Sequence, residues 1–137
     1  MAEYLLAARV PKGAGYVIAS AGISGLGGHP ADPVAVQLVK ERGIDMRRHR
    51  ARALTAELIS KADLILAMDT AQSRWIERRF GVARGSLFRL GYWRDLDIED
   101  PHGGTRQDFA WTLERIEACL DLWFPALSTN GGPARAG

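Results

Sequence analysis

The chain has 137 residues, 47% of them hydrophobic and 25% charged, with a formal net charge of +2. This is the size and mix of one globular domain with its own core, and no apolar run approaches membrane-spanning length. Cys119 is the only cysteine, which excludes an internal disulfide or a cysteine-held metal cluster and fits a reducing cytoplasm.

The predicted elements begin at once. Residues 1–9 are mostly good helix formers, with Leu5, Ala8 and Arg9 at helical spacing from Met1 and Tyr4. Lys12-Gly13-Ala14-Gly15 reads as a turn. Tyr16 to Ala21 is rich in β-formers and predicts a strand. Gly22 to His29 is a glycine-rich loop. Asp32-Pro33 is an N-cap with proline at the first helical position, and the helix it opens runs to a C′ glycine at Gly43.

Thr55 caps a short helix that ends near Ala62. The apolar run after Asp63, through Met68, predicts a buried parallel strand. Asp69 or Thr70 caps a further helix that stops at Gly81. Ser86 to Leu90 is a last short strand, and Gly91 to Gly104 is a loop. A long helix from about Thr105 to Trp123 sets Phe109, Leu113, Ile116, Leu120 and Trp123 on one stripe. One domain is expected over residues 1–124, with a disordered tail over 125–137.

Alternating strands and helices predict an α/β doubly wound sheet. In such sheets ligands sit beyond the carboxyl ends of the strands. That draws attention to the loop after Ala21, to Asp69 and to the loop after Leu90. The loop ahead of the first helix usually carries chemistry too, and here it would lie upstream of residue 1.

Six segments occur in order: Met1-Ala2-Glu3, Ser20-Ala21-Gly22, Gly28-His29-Pro30-Ala31-Asp32-Pro33, His49-Arg50-Ala51-Arg52, Ala62 to Asp69, and Asp100-Pro101-x-Gly103. Together they resemble the bacterial branch of the low-molecular-weight protein-tyrosine phosphatase family, from residue 1 to about residue 124. The resemblance implies a flavodoxin-like doubly wound parallel sheet with helices on both faces. It also implies that the first, central strand and the phosphate loop are missing. In the family, a Cys-x5-Arg-Ser-Pro stretch directly precedes Met-Ala-Glu.

The implied chemistry is hydrolysis of phosphotyrosine on proteins. A thiolate attacks phosphorus in line, and water later hydrolyses the phosphocysteine. The thiolate, the arginine and the loop N–H groups that hold phosphate belong to the absent loop, so the chain as written is expected to be inactive. By resemblance Asp100 is the general acid/base, which protonates the leaving phenolate and then activates water. Read without the family, Asp100-Pro101 is simply a turn starter.

The resemblance makes Ser20 and His49 supports of the phosphate loop, with Leu26 and His102 on the substrate rim. His102 stands where many members carry tyrosine. Without it, Ser20 is a local turn residue and His49 a solvated member of a basic run. Cys119 is not the nucleophile, because no arginine follows at the required spacing. No cofactor and no metal are implied. The implied partner is a phosphotyrosine protein in the cytoplasm, such as a bacterial tyrosine kinase of exopolysaccharide export, with no nucleic acid and no membrane insertion.

Rival readings are weaker. The run Arg47 to Arg52 lacks the interleaved aromatics of a nucleic-acid patch. Asp69 as a receiver-domain phosphoacceptor lacks its acidic pair and its lysine. The glycines at 22, 25, 27 and 28 fit no nucleotide fingerprint. Arsenate reductase chemistry needs further cysteines. The alternative from another class is a non-catalytic phosphatase-like binding module.

Overall fold

The computed structural model of the protein describes residues 1–23, 27–82 and 85–128. In chain order its elements are α1 (Ala2–Arg9), α2 (Pro33–Lys40), α3 (Ala56–Lys61), β1 (Ile65–Ala67), α4 (Thr70–Phe80), β2 (Leu87–Arg89), a 3-10 turn (Tyr92–Arg94) and α5 (Arg106–Ser128). The chain divides into two compact units. One holds Met1–Leu54 with Asp100–Glu117, and the other holds Thr55–Glu99 with Ala118–Gly137.

In the first unit α2 starts where the sequence says it should. Asp32 accepts a hydrogen bond from Val34 N–H at 2.8 Å, and Pro33 opens the helix. The helix stops at Lys40 rather than running on to Gly43. Its end tightens into a turn in which Gly43 N–H donates to Lys40 O at 2.8 Å, with Gly43 at φ +78°. Leu5, Ala35, Leu38, Val39, Met46, Phe109, Leu113 and Ile116 are the buried apolar side chains of this unit among the described residues.

Ion pairs join separate segments of this unit, among them Arg9 with Glu117 at 4.0 Å. Arg42 pairs with Glu117 at 3.1 Å, and Arg106 pairs with Glu41 at 2.6 Å. The first half of α5, at Arg106 and Glu117, is thereby tied to the turn after α2.

The strand expected at Tyr16–Ala21 is not formed. Val17 is 96% exposed, and no ladder runs along the segment; the nearest pairing is an isolated parallel bridge between Gly22 and Ala53. β-propensity expresses packing against a neighbouring strand. Among the described residues none lies alongside this segment.

In the second unit β1 and β2 pair in parallel, with Ile65 opposite Leu87 and Ala67 opposite Arg89. They form a two-stranded sheet among the described residues. β1 is shorter than its apolar run. Only Ala67 is buried, because Ile65 and Leu66 are half-exposed.

Helix α4 is capped at both ends. Asp69 accepts from Gln72 N–H at 2.7 Å, and Gly81 ends the helix in the left-handed conformation at φ +60°. Helix α5 continues past Trp123 to Ser128. Pro125 stands in its last turns, where it removes one N–H without ending the helix. Residues 129–137 of the expected tail lie outside the described residues. The predicted apolar stripe of α5 is buried along its length, with Leu113 and Trp123 fully covered.

Candidate active site

Asp100 heads a tight loop that leads into α5. Its Oδ1 accepts the His102 N–H at 3.0 Å, which is an Asx turn. Pro101 O accepts the Gly104 N–H at 2.8 Å. Thr105 and Asp108 then cap α5 reciprocally. Thr105 N–H donates to Asp108 Oδ2 at 2.8 Å, and Asp108 N–H donates to Thr105 Oγ1 at 3.2 Å. Asp100 is exposed, and its Oδ2 takes no hydrogen bond among the described residues. That oxygen is available for proton transfer.

Ser20 and His49 meet on the first turn of α1. Ser20 Oγ donates to Glu3 Oε1 at 2.8 Å. The His49 ring packs edge-on against Tyr4, with centroids 5.6 Å apart and planes at 84°. Burial raises the Tyr4 phenol above its ordinary value, and the Glu3 and Asp45 carboxylates add to the effect. The Ser20 carbonyl accepts from Arg52 Nε at 3.1 Å. Strand-like bonds between Gly22 and the Arg52–Leu54 backbone hold the loop beyond it.

The predicted residues thus fall into two groups. Ser20 and His49 converge on α1, while Asp100 and His102 share one turn. Asp100 makes no hydrogen bond to Ser20, His49 or α1 among the described residues. His102 is exposed and joins Asp100 through its backbone N–H. Leu26 lies outside the described residues.

Glu3 and Arg52, quoted above only as parts of ordered segments, and Tyr4 and Asp108 enter the site with no role assigned from the sequence. For Asp108 the readable signal is the Thr105-x-x-Asp108 spacing of a capping box, and for Tyr4 there is none.

Several alternatives lose ground. Asp69 caps α4 through its carboxylate. Arg47 grips Asp45 through Nε at 2.9 Å and Nη2 at 2.8 Å, and holds that carboxyl well below the usual range. Arg50 donates to the carbonyls of Arg47 and His49, and Arg52 to that of Ser20. Three arginines of the basic run therefore serve local structure. Cys119 is buried in α5. No cluster of three or more metal-ligating side chains occurs among the described residues. No helix of the described residues is long and apolar enough to cross a membrane. An open hollow of about 300 Å³ in the second unit, lined by Ile59, Ile65, Phe80 and Val82, holds none of the site residues.

Comparison with known proteins points the same way. The family model described as "Low molecular weight phosphotyrosine protein phosphatase" matches residues 1–132. The chain is 44% identical over 131 residues to the "Probable low molecular weight protein-tyrosine-phosphatase EpsP" of Ralstonia nicotianae, covering 96% of this chain and 88% of that protein. The crystal structure of the tyrosine phosphatase Wzb from Escherichia coli K30, in complex with sulphate, superposes with a TM-score of 0.84 at 29% identity, over 92% of this chain and 87% of that one. The YwlE arginine phosphatase from Geobacillus stearothermophilus gives a TM-score of 0.85 at 30% identity, over 94% and 84%.

Proposed function

The chain belongs to the low molecular weight phosphotyrosine protein phosphatase family, and from that premise we propose that Asp100 is the general acid/base of a phosphotyrosine hydrolase. The fold is the flavodoxin-like α/β fold of its structural neighbours. The observation that carries the proposal is the turn at Asp100. One carboxylate oxygen is fixed by the His102 N–H, and the other is open to solvent.

The proposed reaction runs in two steps. A cysteine thiolate attacks the phosphorus of an aryl phosphate, and the ester oxygen leaves as a phenolate. Asp100 gives that oxygen its proton. The ionised Asp100 then takes a proton from the water that attacks the phosphocysteine. Ser20 and His49 act at a distance from the proton transfer. Their contacts with Glu3 and Tyr4 fix the first turn of α1, where the family's phosphate loop joins the helix. His102 borders the substrate ring, and Leu26 is proposed to form the opposite wall.

Within the 137 residues no Cys-x5-Arg sequence occurs, and Cys119 is buried. The chain as written therefore supplies the acid and the frame without the nucleophile, and turns over no aryl phosphate by itself. The substrate of the complete enzyme is a cytoplasmic phosphotyrosine protein, and bacterial tyrosine kinases of exopolysaccharide export are the first to test. The second reading is a non-catalytic phosphatase-like binding module.

The reading frame upstream of Met1 separates the two. An in-frame strand followed by Cys-x5-Arg-Ser-Pro, with aryl phosphatase activity in the extended protein that falls in Asp100→Asn, supports the enzyme. A stop codon directly upstream supports the module.

A further inference from the structure

We propose that Asp108 is a positioning residue for Asp100, an inference that rests on Asp100 being the acid. Its carboxylate lies against the end of the Asp100 loop, at Gly104 and Thr105. Asp108 Oδ2 accepts the Thr105 N–H at 2.8 Å. A Cβ built on Gly104 would stand 2.6 Å from the same oxygen and 2.8 Å from Pro101 O. The loop backbone is therefore pressed against the carboxylate with room for hydrogen only.

Gly104 closes the turn on Pro101 O at 2.8 Å, and that turn holds the His102 N–H against Asp100 Oδ1 at 3.0 Å. A continuous set of contacts thus runs from Asp108 to the acid. An ordinary capping box would hold only the start of the helix. Here the same carboxylate also bounds the turn that orients Asp100.

Backbone amide relaxation of residues 1–137 tests this, because it reads order residue by residue on the picosecond–nanosecond scale. In Asp108→Ala, order parameters at His102, Gly103 and Gly104 should fall from about 0.85 to below about 0.6, while Leu113 and Ile116 stay rigid. Asp108→Asn keeps an acceptor oxygen and should restore all three. Gly104→Ala sets a Cβ against both the Asp108 carboxylate and Pro101 O and should loosen the same residues. Gly104→Ala combined with Asp108→Gly, which removes the carboxylate and Cβ clashes, should loosen them no further. This covers the case of Asp108→Ala failing to fold. The proposal is overturned if only Thr105 loosens in Asp108→Ala, if Asn fails to rescue, or if Gly104→Ala leaves the loop ordered. None of these outcomes depends on turnover, so a different role for Asp100 would show separately, in the activity of the extended protein.

Discussion

Ser20 Oγ donates a hydrogen bond to Glu3 Oε1 at 2.8 Å, fastening the segment before the glycine-rich loop to the first turn of α1. The contact is exposed, so its contribution is modest, about 0.5–1.5 kcal/mol at most. Ser20→Ala should lower stability within that range, and Glu3→Gln, which keeps an acceptor oxygen, by less. Urea unfolding of Ser20→Ala, Glu3→Ala and the double variant measures the coupling. Strictly additive losses would mean that the bond is not formed in solution.

Asp100→Asn should leave the stability of residues 1–137 within about 0.5 kcal/mol of the parent. The side chain is exposed, and an amide oxygen can still accept the His102 N–H. In a form that carries the nucleophile, the same change should reduce kcat on aryl phosphates by about 10²–10⁴-fold. Equal kcat values would remove Asp100 from the mechanism.

Trp123 Nε1 donates to Leu90 O at 2.7 Å in a fully buried position. Phe88 and Trp93 pack edge-on against its ring, each with centroids 5.7 Å away. Trp123→Phe leaves the Leu90 carbonyl without that donor and should cost about 1–3 kcal/mol. Trp123→Ala adds the loss of the ring and should cost about 3–5 kcal/mol. Thermal unfolding checks both, and a neutral Trp123→Phe would contradict the bond.

Asp97 gives the fold a pH dependence. Its Oδ1 accepts from Arg89 Nη1 at 2.9 Å and from the Thr70 hydroxyl and N–H at 2.9 and 3.0 Å. The Arg89 guanidinium, helped by Thr70, holds the carboxyl below its ordinary value. A carboxyl depressed in the folded state stabilises fully above the unfolded value of about 3.9 and loses that contribution as pH falls through the folded value. Melting temperatures from pH 7 down to pH 2 should therefore show Asp97→Asn less stable than the parent near neutrality, with the gap closing in acid. A gap that stays constant with pH would refute the linkage.

Much of the frame was legible because its signals are local. Asp32, Thr55 and Asp69 each cap through an acceptor that reaches only two or three residues along the chain, and Gly81 needs only its own left-handed φ. Those spacings are visible in one dimension. The segment Tyr16–Ala21 carries the right residues for a strand, but pairing is a property of two segments and left no local mark. The site was legible in part. Ordered motifs pointed to Asp100, Ser20 and His49. Their partners Glu3 and Tyr4 lie far along the chain from the residues they touch, and no periodicity encodes such a meeting. The extension of α5 through Pro125 was hidden for the opposite reason, since proline there reads as a stop.

The start of α4 carries one more consequence. Asp69 takes the Gln72 N–H and Asp97 takes the Thr70 N–H, so two carboxylates occupy the helix end where an anion would otherwise be welcome. These two N–H groups are therefore spent on the chain's own carboxylates and are not open donors for another anion. At the start of α4 the side chains of Asp69 and Asp97 thus do for the helix what a bound anion does at helix ends left open.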